Sequence, residues 1–317
     1  MIPTLLSSWQ ASSTVLFVWQ DSGRVIAQTS SGVVQTKVPS TYNTYPDYEV
    51  LSRDGRHIAL PLLNKGEMDL YDIDLLHARS SALLGTKSGI YLVRFSPSGR
   101  FLRAVWRNGE WIVVDRTNGR YRSLGRDLRD LAWSPTKDVL FFRRDTGPVQ
   151  AFDARTSRTW TPSPVEVDRS LGTAYRRAIA VKGDRYSLSD VSPSGAKCYV
   201  GRLAGGSQPY PIGGTYYDGI GQWEPYKFGI VGRDGKLCTF EAPKDLGACA
   251  LYPLGWTRAD QLLLSVEDHP NLVLLYDPTS GRTYSRKLVP PLPDATLLAV
   301  TWAGAETIRP LERPCPR

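Results

Sequence analysis

FSPSGRFLRAVW, residues 95–106, is a turn followed at once by a strand. Pro97 presets φ for a turn position and Gly99 accepts φ > 0, after which an alternating strand runs from Phe101 to Trp106. Variants of this stretch recur along the chain: WQASSTVLF from Trp9, LSRDGRHIAL from Leu51, WSPTKDVLFF from Trp133, VSPSGAKCYV from Val191, WEPYKFGIV from Trp223, WTRADQLLLS from Trp256 and WAGAETIRP from Trp302. An apolar, usually aromatic residue leads each one, at intervals of 42, 44, 38, 58, 32, 33 and 46 residues.

A second landmark keeps the register. In LYDIDLLHARS, VVDRTNGRYRS, AFDARTSRTWT and LYDPTSGRTYS an Asp closes an apolar strand before a turn. Asp72, Asp115, Asp153 and Asp277 follow their leading residues by 21, 20, 20 and 21 positions, and Gln28 takes the place in the first unit. Such a side chain accepts bonds from backbone N–H groups two or three residues on. Two landmarks at a constant offset, with a period near forty and short strands, define an all-β propeller. A lone blade has two apolar faces and can bury neither; stacking blades about an axis buries both.

The intervals predict seven four-stranded blades over residues 9–50, 51–94, 95–132, 133–190, 191–222, 223–255 and 256–301, with 302–317 as closing strand and tail. The blades at 191–222 and 223–255 are short; fused, they leave six, and counting the last segment separately gives eight. LLAVTWAGAETIRPL reads as an inner strand that pairs with the N-terminal blade and closes the ring. Trp133, Trp223, Trp256 and Trp302 are expected in the core, packed between blades.

The turns Ser52-Arg53-Asp54-Gly55, Ser96-Pro97-Ser98-Gly99, Ser192-Pro193-Ser194-Gly195 and Arg233-Asp234-Gly235 resemble those of the TolB-type, WD40-like propeller repeats. The chain departs from that pattern where Ser replaces the favoured Asp and where Ser134-Pro135-Thr136-Lys137 lacks Gly; it also lacks WD dipeptides and Gly-His pairs. The resemblance implies a fold, not an activity. It also implies a bacterial binding or assembly module, with a periplasmic or extracellular place favoured over a cytoplasmic one. MIPTLLSSWQ lacks the basic and long apolar regions of a signal peptide, and no run approaches the roughly 18 apolar residues of a membrane span.

No G-x-S-x-G, P-loop or dinucleotide fingerprint occurs. His57, His77 and His269 fall in different repeats and the four cysteines form no CxxC pair, so no catalytic set, metal site or cofactor is expected. The reading is a non-catalytic binding or scaffold propeller whose partner is another protein. The alternative is an enzyme, or a carbohydrate- or small-anion-binding protein, with its site at the channel mouth. The net charge of +8 suits anionic partners, including an acidic polysaccharide or membrane surface; a nucleic acid is disfavoured because no recognition motif accompanies the charge.

Three candidate partner sites follow. Tyr42, Tyr45, Tyr48, Tyr91, Tyr216 and Tyr217 precede inner strands and would share a rim on one face. Arg100, Arg103, Arg107, Arg116, Arg120 and Arg122 would form a basic patch on the third blade. The insertion TPSPVEVDRSLGTAYRRAIAVKGDRYSLS, residues 161–189, lengthens the fourth interval, and its YRRAIAVKGDRYSL part reads as an extra hairpin. KLCTFEAPKDLGACALY reads as strands three and four of one hairpin, which sets Cys238 opposite Cys249 as a candidate disulfide.

Overall fold

The computed structural model describes residues 13–39, 50–64, 67–85, 89–106, 108–144, 147–182, 186–202, 215–217, 223–225, 228–240, 251–266 and 269–308. The first sheet holds β1 (Val15–Asp21), β2 (Arg24–Thr29) and β3 (Gly32–Lys37), and the second β4 (His57–Asn64), β5 (Glu67–Asp74) and β6 (Arg79–Leu84). The third is β7 (Ile90–Phe95), β8 (Phe101–Trp106), β9 (Trp111–Asp115) and β10 (Tyr121–Gly125). The fourth is β11 (Leu128–Trp133), β12 (Val139–Arg144), β13 (Val149–Asp153) and β14 (Arg158–Trp160). Helices α1 (Pro164–Leu171) and α2 (Thr173–Lys182) then lead to β15 (Tyr186–Val191), β16 (Lys197–Arg202), β17 (Thr215–Tyr217), β18 (Trp223–Pro225), β19 (Phe228–Gly232) and β20 (Leu237–Phe240). The chain ends its described part with β21 (Leu251–Trp256), β22 (Leu262–Val266), β23 (His269–Asp277), β24 (Arg282–Lys287), β25 (Thr296–Val300) and α3 (Trp302–Ile308).

This is a β-propeller architecture of small antiparallel meander sheets. The expected seven four-stranded units are corrected: the described residues form five four-stranded sheets, one three-stranded sheet (β4-β5-β6) and the two-stranded ribbon β17-β18. The reason lies between Val191 and Trp256. Trp223, read as an inner-strand residue, sits in the ribbon, while β19 pairs directly with β16 through Cys198↔Val231 and Lys197↔Gly232. The two short intervals therefore build one sheet, β15-β16-β19-β20.

Leu51 adds an inner bridge to Ile58 on the second sheet. The C-terminal β25 lies antiparallel against β1, with Phe17↔Val300 and Val18↔Ala299, so residues near both ends of the chain share one sheet. Trp302 is not the inner-strand anchor of this unit. Val300 ends the strand, and Trp302 opens α3 two residues later.

Six hydrophobic clusters bind the sheets, and each spans two neighbours. One joins β1, β2 and β25 to β4 and β5, through Val18, Ile58, Leu60 and Leu298. Another joins the same first sheet to β22 and β23, through Trp19, Ile26, Leu263, Leu275 and Leu297. The remaining four link the second sheet to the third, the third to the fourth, the fourth to the fifth, and the fifth to the last. Successive side chains on a strand point to opposite faces, so adjacent residues of β25 can serve two different interfaces. Outer strands serve none fully: β6 and β10 are mostly exposed, whereas β8 is buried from Phe101 to Val105.

The insertion before β15 is helical, which overturns the expected hairpin. Ser163 caps α1 by accepting from the Glu166 N–H at 3.2 Å, and Pro164 opens the helix. Gly172 ends it at φ 83°, and a Cβ there would overlap the Gly195 carbonyl of the next inner turn. Val167, Leu171, Ala174, Tyr175 and Ala178 fill the wedge between the fourth and fifth sheets. Tyr175 is fully buried and donates its hydroxyl to the Asp130 carbonyl at 2.7 Å.

Candidate functional site: the end of the channel built by the inner turns

Each inner strand ends on a Ser or Thr that organises the turn leading outward. The Ser52, Ser96 and Ser192 oxygens accept the N–H groups of His57, Phe101 and Lys197 at 2.9, 3.2 and 3.2 Å. Thr257 takes the Gln261 N–H at 3.2 Å, and the Ser134 backbone N–H donates to the Val139 carbonyl at 2.8 Å. In the first sheet Thr301 does the equivalent work, donating its hydroxyl to the Val15 carbonyl at 2.7 Å and accepting from the Gly304 N–H at 3.0 Å. All six are buried. Burial without these bonds would leave backbone donors unpaired, which is why a short hydroxyl residue recurs here.

These turns converge on one cavity of about 120 Å³. Leu51, Phe95, Trp133, Val191, Trp256 and Val300, one from each sheet, line it, and no described lining residue is a carboxylate, histidine or cysteine. The position after the Ser or Thr forms the rim. It reads Pro97, Pro135 and Pro193 on three consecutive sheets, then Arg258, Trp302 and Arg53 on the other three. The guanidinium carbons of Arg53 and Arg258 each lie 5.1 Å from the Trp302 ring centroid. Arg53 also donates to the Pro135 carbonyl, reaching from the second sheet to the fourth across the opening. The Trp302 indole N–H is taken by the Trp256 carbonyl at 2.8 Å.

The sequence candidates fare unevenly. Tyr42, Tyr45 and Tyr48 lie outside the described residues. Tyr91 enters β7 at the end remote from Phe95, and Tyr216 and Tyr217 form the ribbon with Glu224 and Trp223. Tyr91 thus lies at the opposite end of β7 from Phe95, which lines the cavity. Of the core tryptophans, Trp133 and Trp256 are 7% and 4% exposed, Trp302 is half-buried at the rim, and nothing is described for the Trp223 side chain.

The arginines of the third sheet do not form one patch. Arg100 pairs with Asp115 at 2.7 Å and holds that carboxyl down to about 2, helped by the Thr117 hydroxyl and N–H. Arg103 is buried and donates to the Leu131 carbonyl. Arg116 bonds Asp72 at 2.9 Å, the Gly99 carbonyl at 2.9 Å and the His57 ring at 3.0 Å, tying the second sheet to the third. Burial opposes ionisation of Asp72, but His57 and Arg116 outweigh it and lower its pKa. Arg120 and Arg122 are exposed on the outer edge, and Arg107 lies outside the described residues.

Asp115, Asp153 and Asp277 close their third strands as expected, accepting N–H bonds from Thr117, Arg155 and Thr279 at 3.0, 2.8 and 2.9 Å. In the second sheet that role falls to Asp74, which accepts from Leu76 and His77, while Asp72 serves the intersheet cluster. Cys238 lies on the outer strand β20 opposite Ile230, and Cys249 is outside the described residues. The segment read as one hairpin is instead the last strand of one sheet followed by the first of the next. Among the described residues no group of three His, Cys, Asp or Glu is placed to hold a metal, and no helix is long and apolar enough to cross a membrane.

Sequence reasoning missed the rim because it aligned the final unit on Trp302. The signal was present: Val300-Thr301 matches Val191-Ser192 and Trp256-Thr257, and moves Trp302 into the rim position.

No protein-family model matches the chain, and no curated protein matches it. Solved structures do. TolB from Acinetobacter baumannii is 15% identical with a TM-score of 0.45, over 80% of this chain and 61% of that one, so the chain spans about three fifths of the TolB chain. The Cps50 (Swd1) β-propeller domain of Myceliophteria thermophila is 14% identical with a TM-score of 0.39, over 78% and 69%. A chain of a nidogen/laminin complex is 8% identical with a TM-score of 0.51, over 90% and 97%. At these identities the likeness concerns the fold alone.

Proposed function

We propose that this chain is a six-bladed β-propeller, closed by β25 against β1, that works as a non-catalytic binding module. It presents the inner-turn end of its channel to a protein partner. One observation carries this: all six inner strands deliver apolar or aromatic residues to a single opening, with no described carboxylate, histidine or cysteine there to run acid–base or nucleophilic chemistry. A rim of prolines, arginines and tryptophan is suited to recognition, since Trp and Arg dominate interface energetics. The resemblance to TolB-type repeats supports a role as subunit of a bacterial assembly outside the cytoplasm.

The test is site-resolved crosslinking in the native source. A photo-reactive residue at Thr136, exposed beside the rim residue Pro135, is compared with one at Tyr121 on an outer edge. A stoichiometric partner captured from Thr136 and not from Tyr121 is expected. Capture from Tyr121 alone would place the partner on the blade sides and end this reading.

A further inference from the structure

The seam between the third and fourth sheets opens into a groove of about 380 Å³, which shares no lining residue with the channel-end cavity. Strand register fixes what faces it. Arg122 lies opposite Val113, and Val113 packs in the cluster between these two sheets. Opposed residues of an antiparallel pair share a face, so Arg122 and Leu124, two positions on, face the fourth sheet. There Phe142 lies opposite Gln150, and Phe152 opposite Thr159. Both phenylalanines belong to the same cluster, so Arg144 and Thr159 face back toward the third sheet. Leu124, Phe142 and Phe152 make a buried apolar floor. The walls are Arg122, Arg144, Ser157 and Thr159, all exposed, and no described lining residue is a carboxylate.

Arg144 is held in place by neutral groups from both sheets. Its Nη2 donates to the Leu124 carbonyl at 2.7 Å and its Nε to the Gln150 Oε1 at 3.3 Å. Its guanidinium carbon lies 6.0 Å from the Phe142 ring centroid. Gly125 leaves room for it: at φ 96° a Cβ there would stand 3.0 Å from the Arg144 Nη1. A guanidinium carries more N–H donors than these bonds use. Arg100, Arg143 and Arg155 each meet a carboxylate, in Asp115, Asp130 and Asp138. Among the described residues Arg144 meets none, and the side chains of Arg122, Ser157 and Thr159 have no hydrogen-bond partner.

This arrangement selects its ligand. Two guanidiniums on facing sheets match a carboxylate with paired donors. The hydroxyls of Ser157 and Thr159 both donate and accept, as sugar hydroxyls do. The volume falls at the lower end of ligand pockets, which run to roughly 300–1,000 Å³. The buried floor offers no open ring face on which a nucleobase could stack. Arg120, Arg126 and Arg158, exposed on the same outer strands or beside their ends, extend the positive charge past the groove, which suits a chain of acidic units.

We propose that this groove binds one uronate unit of an anionic polysaccharide, its carboxylate on Arg122 and Arg144 and its hydroxyls on Ser157 and Thr159. The site does not depend on what the channel end binds.

The test is isothermal titration calorimetry of the full chain with tetragalacturonate, its methyl ester, free galacturonate and a thymidine tetranucleotide. Tetragalacturonate is expected to bind, and the neutral methyl ester to bind about tenfold more weakly or not at all. Arg122→Gln and Arg144→Gln are each expected to weaken tetragalacturonate by about the same factor. Arg282→Gln makes the same charge change on the last sheet and is expected to cost less than about twofold. All three arginines are exposed, and circular dichroism checks that each variant stays folded. Equal losses in the three variants would show a diffuse charge effect and overturn the site, as would binding of none of the probes. A tetranucleotide as tight as tetragalacturonate would overturn the sugar. Galacturonate matching the oligomer would overturn the polysaccharide and leave a free sugar acid as the ligand. The Thr136 crosslink decides the channel-end reading independently of all these outcomes.

Discussion

Leu298→Ala tests how β25 holds the molecule together. Leu298 is 2% exposed and packs in the cluster shared with β4 and β5, beside Ile58 and Leu60. Removing a buried leucine beyond its Cβ forfeits transfer free energy and opens a cavity, together about 3 kcal/mol. For a chain of this size each kcal/mol lowers Tm by about 2 °C, so the expected drop is roughly 6 °C. Val289→Ala is the control: it lies in the same C-terminal stretch but is 81% exposed, and is expected to shift Tm by less than about 1 °C. Leu297→Ala, 3% exposed in the cluster shared with β22 and β23, is expected to match Leu298→Ala although it faces the other neighbour. Differential scanning calorimetry of the three variants decides it. If Leu298→Ala behaves like Val289→Ala, β25 is not docked between two sheets and the pairing of the two chain ends is wrong.

Acid should weaken the protein partly through Asp115, whose pKa is depressed from 3.8 to about 2 by Arg100. A depressed carboxylate stabilises above its unfolded pKa and loses that contribution as pH falls through the folded one. The stability gap between wild type and Asp115→Asn, read by urea titration, should be full at pH 6 and close between pH 4 and 2; a gap independent of pH would refute the ion pair's role. Gly172→Ala should cost about 2 kcal/mol or more, because φ is 83° and the new Cβ meets the Gly195 carbonyl. Unchanged thermal stability would show that α1 does not end against that turn. Tyr175→Phe should cost about 1–2 kcal/mol by stripping the Asp130 carbonyl of its buried donor. A loss below about 0.5 kcal/mol in chemical denaturation would show that the helices do not seal the wedge.

The repeated turn and the spaced aspartates were enough to specify blades, since turn chemistry and strand alternation are local. Phe95, Trp133, Val191 and Trp256 end inner strands where the pattern puts them. The pattern failed where neighbours decide. YRRAIAVKGDRYSL has residues acceptable to a strand, but Ala174, Tyr175 and Ala178 lie on one helical face that fills the gap between two sheets. Trp223 carries the aromatic of an inner strand, yet β19 found β16 as its hydrogen-bonding partner and left Trp223 in a side ribbon. Arginine counting on the third sheet suggested a surface, whereas Arg103 and Arg116 are consumed between sheets by a carbonyl and a carboxylate.

What the sequence determined by itself was therefore the repeating unit: a hydroxyl-anchored turn, a strand meander, and apolar faces that demand neighbours. Only the tertiary structure decided how many units share a sheet, that helices fill the wedge before β15, and that Arg258, Trp302 and Arg53 meet at the rim of the cavity. The physical reason is range. A turn is fixed by hydrogen bonds a few residues apart, but the rim is assembled from positions 53 to 302, which come together only when every blade has buried both of its faces.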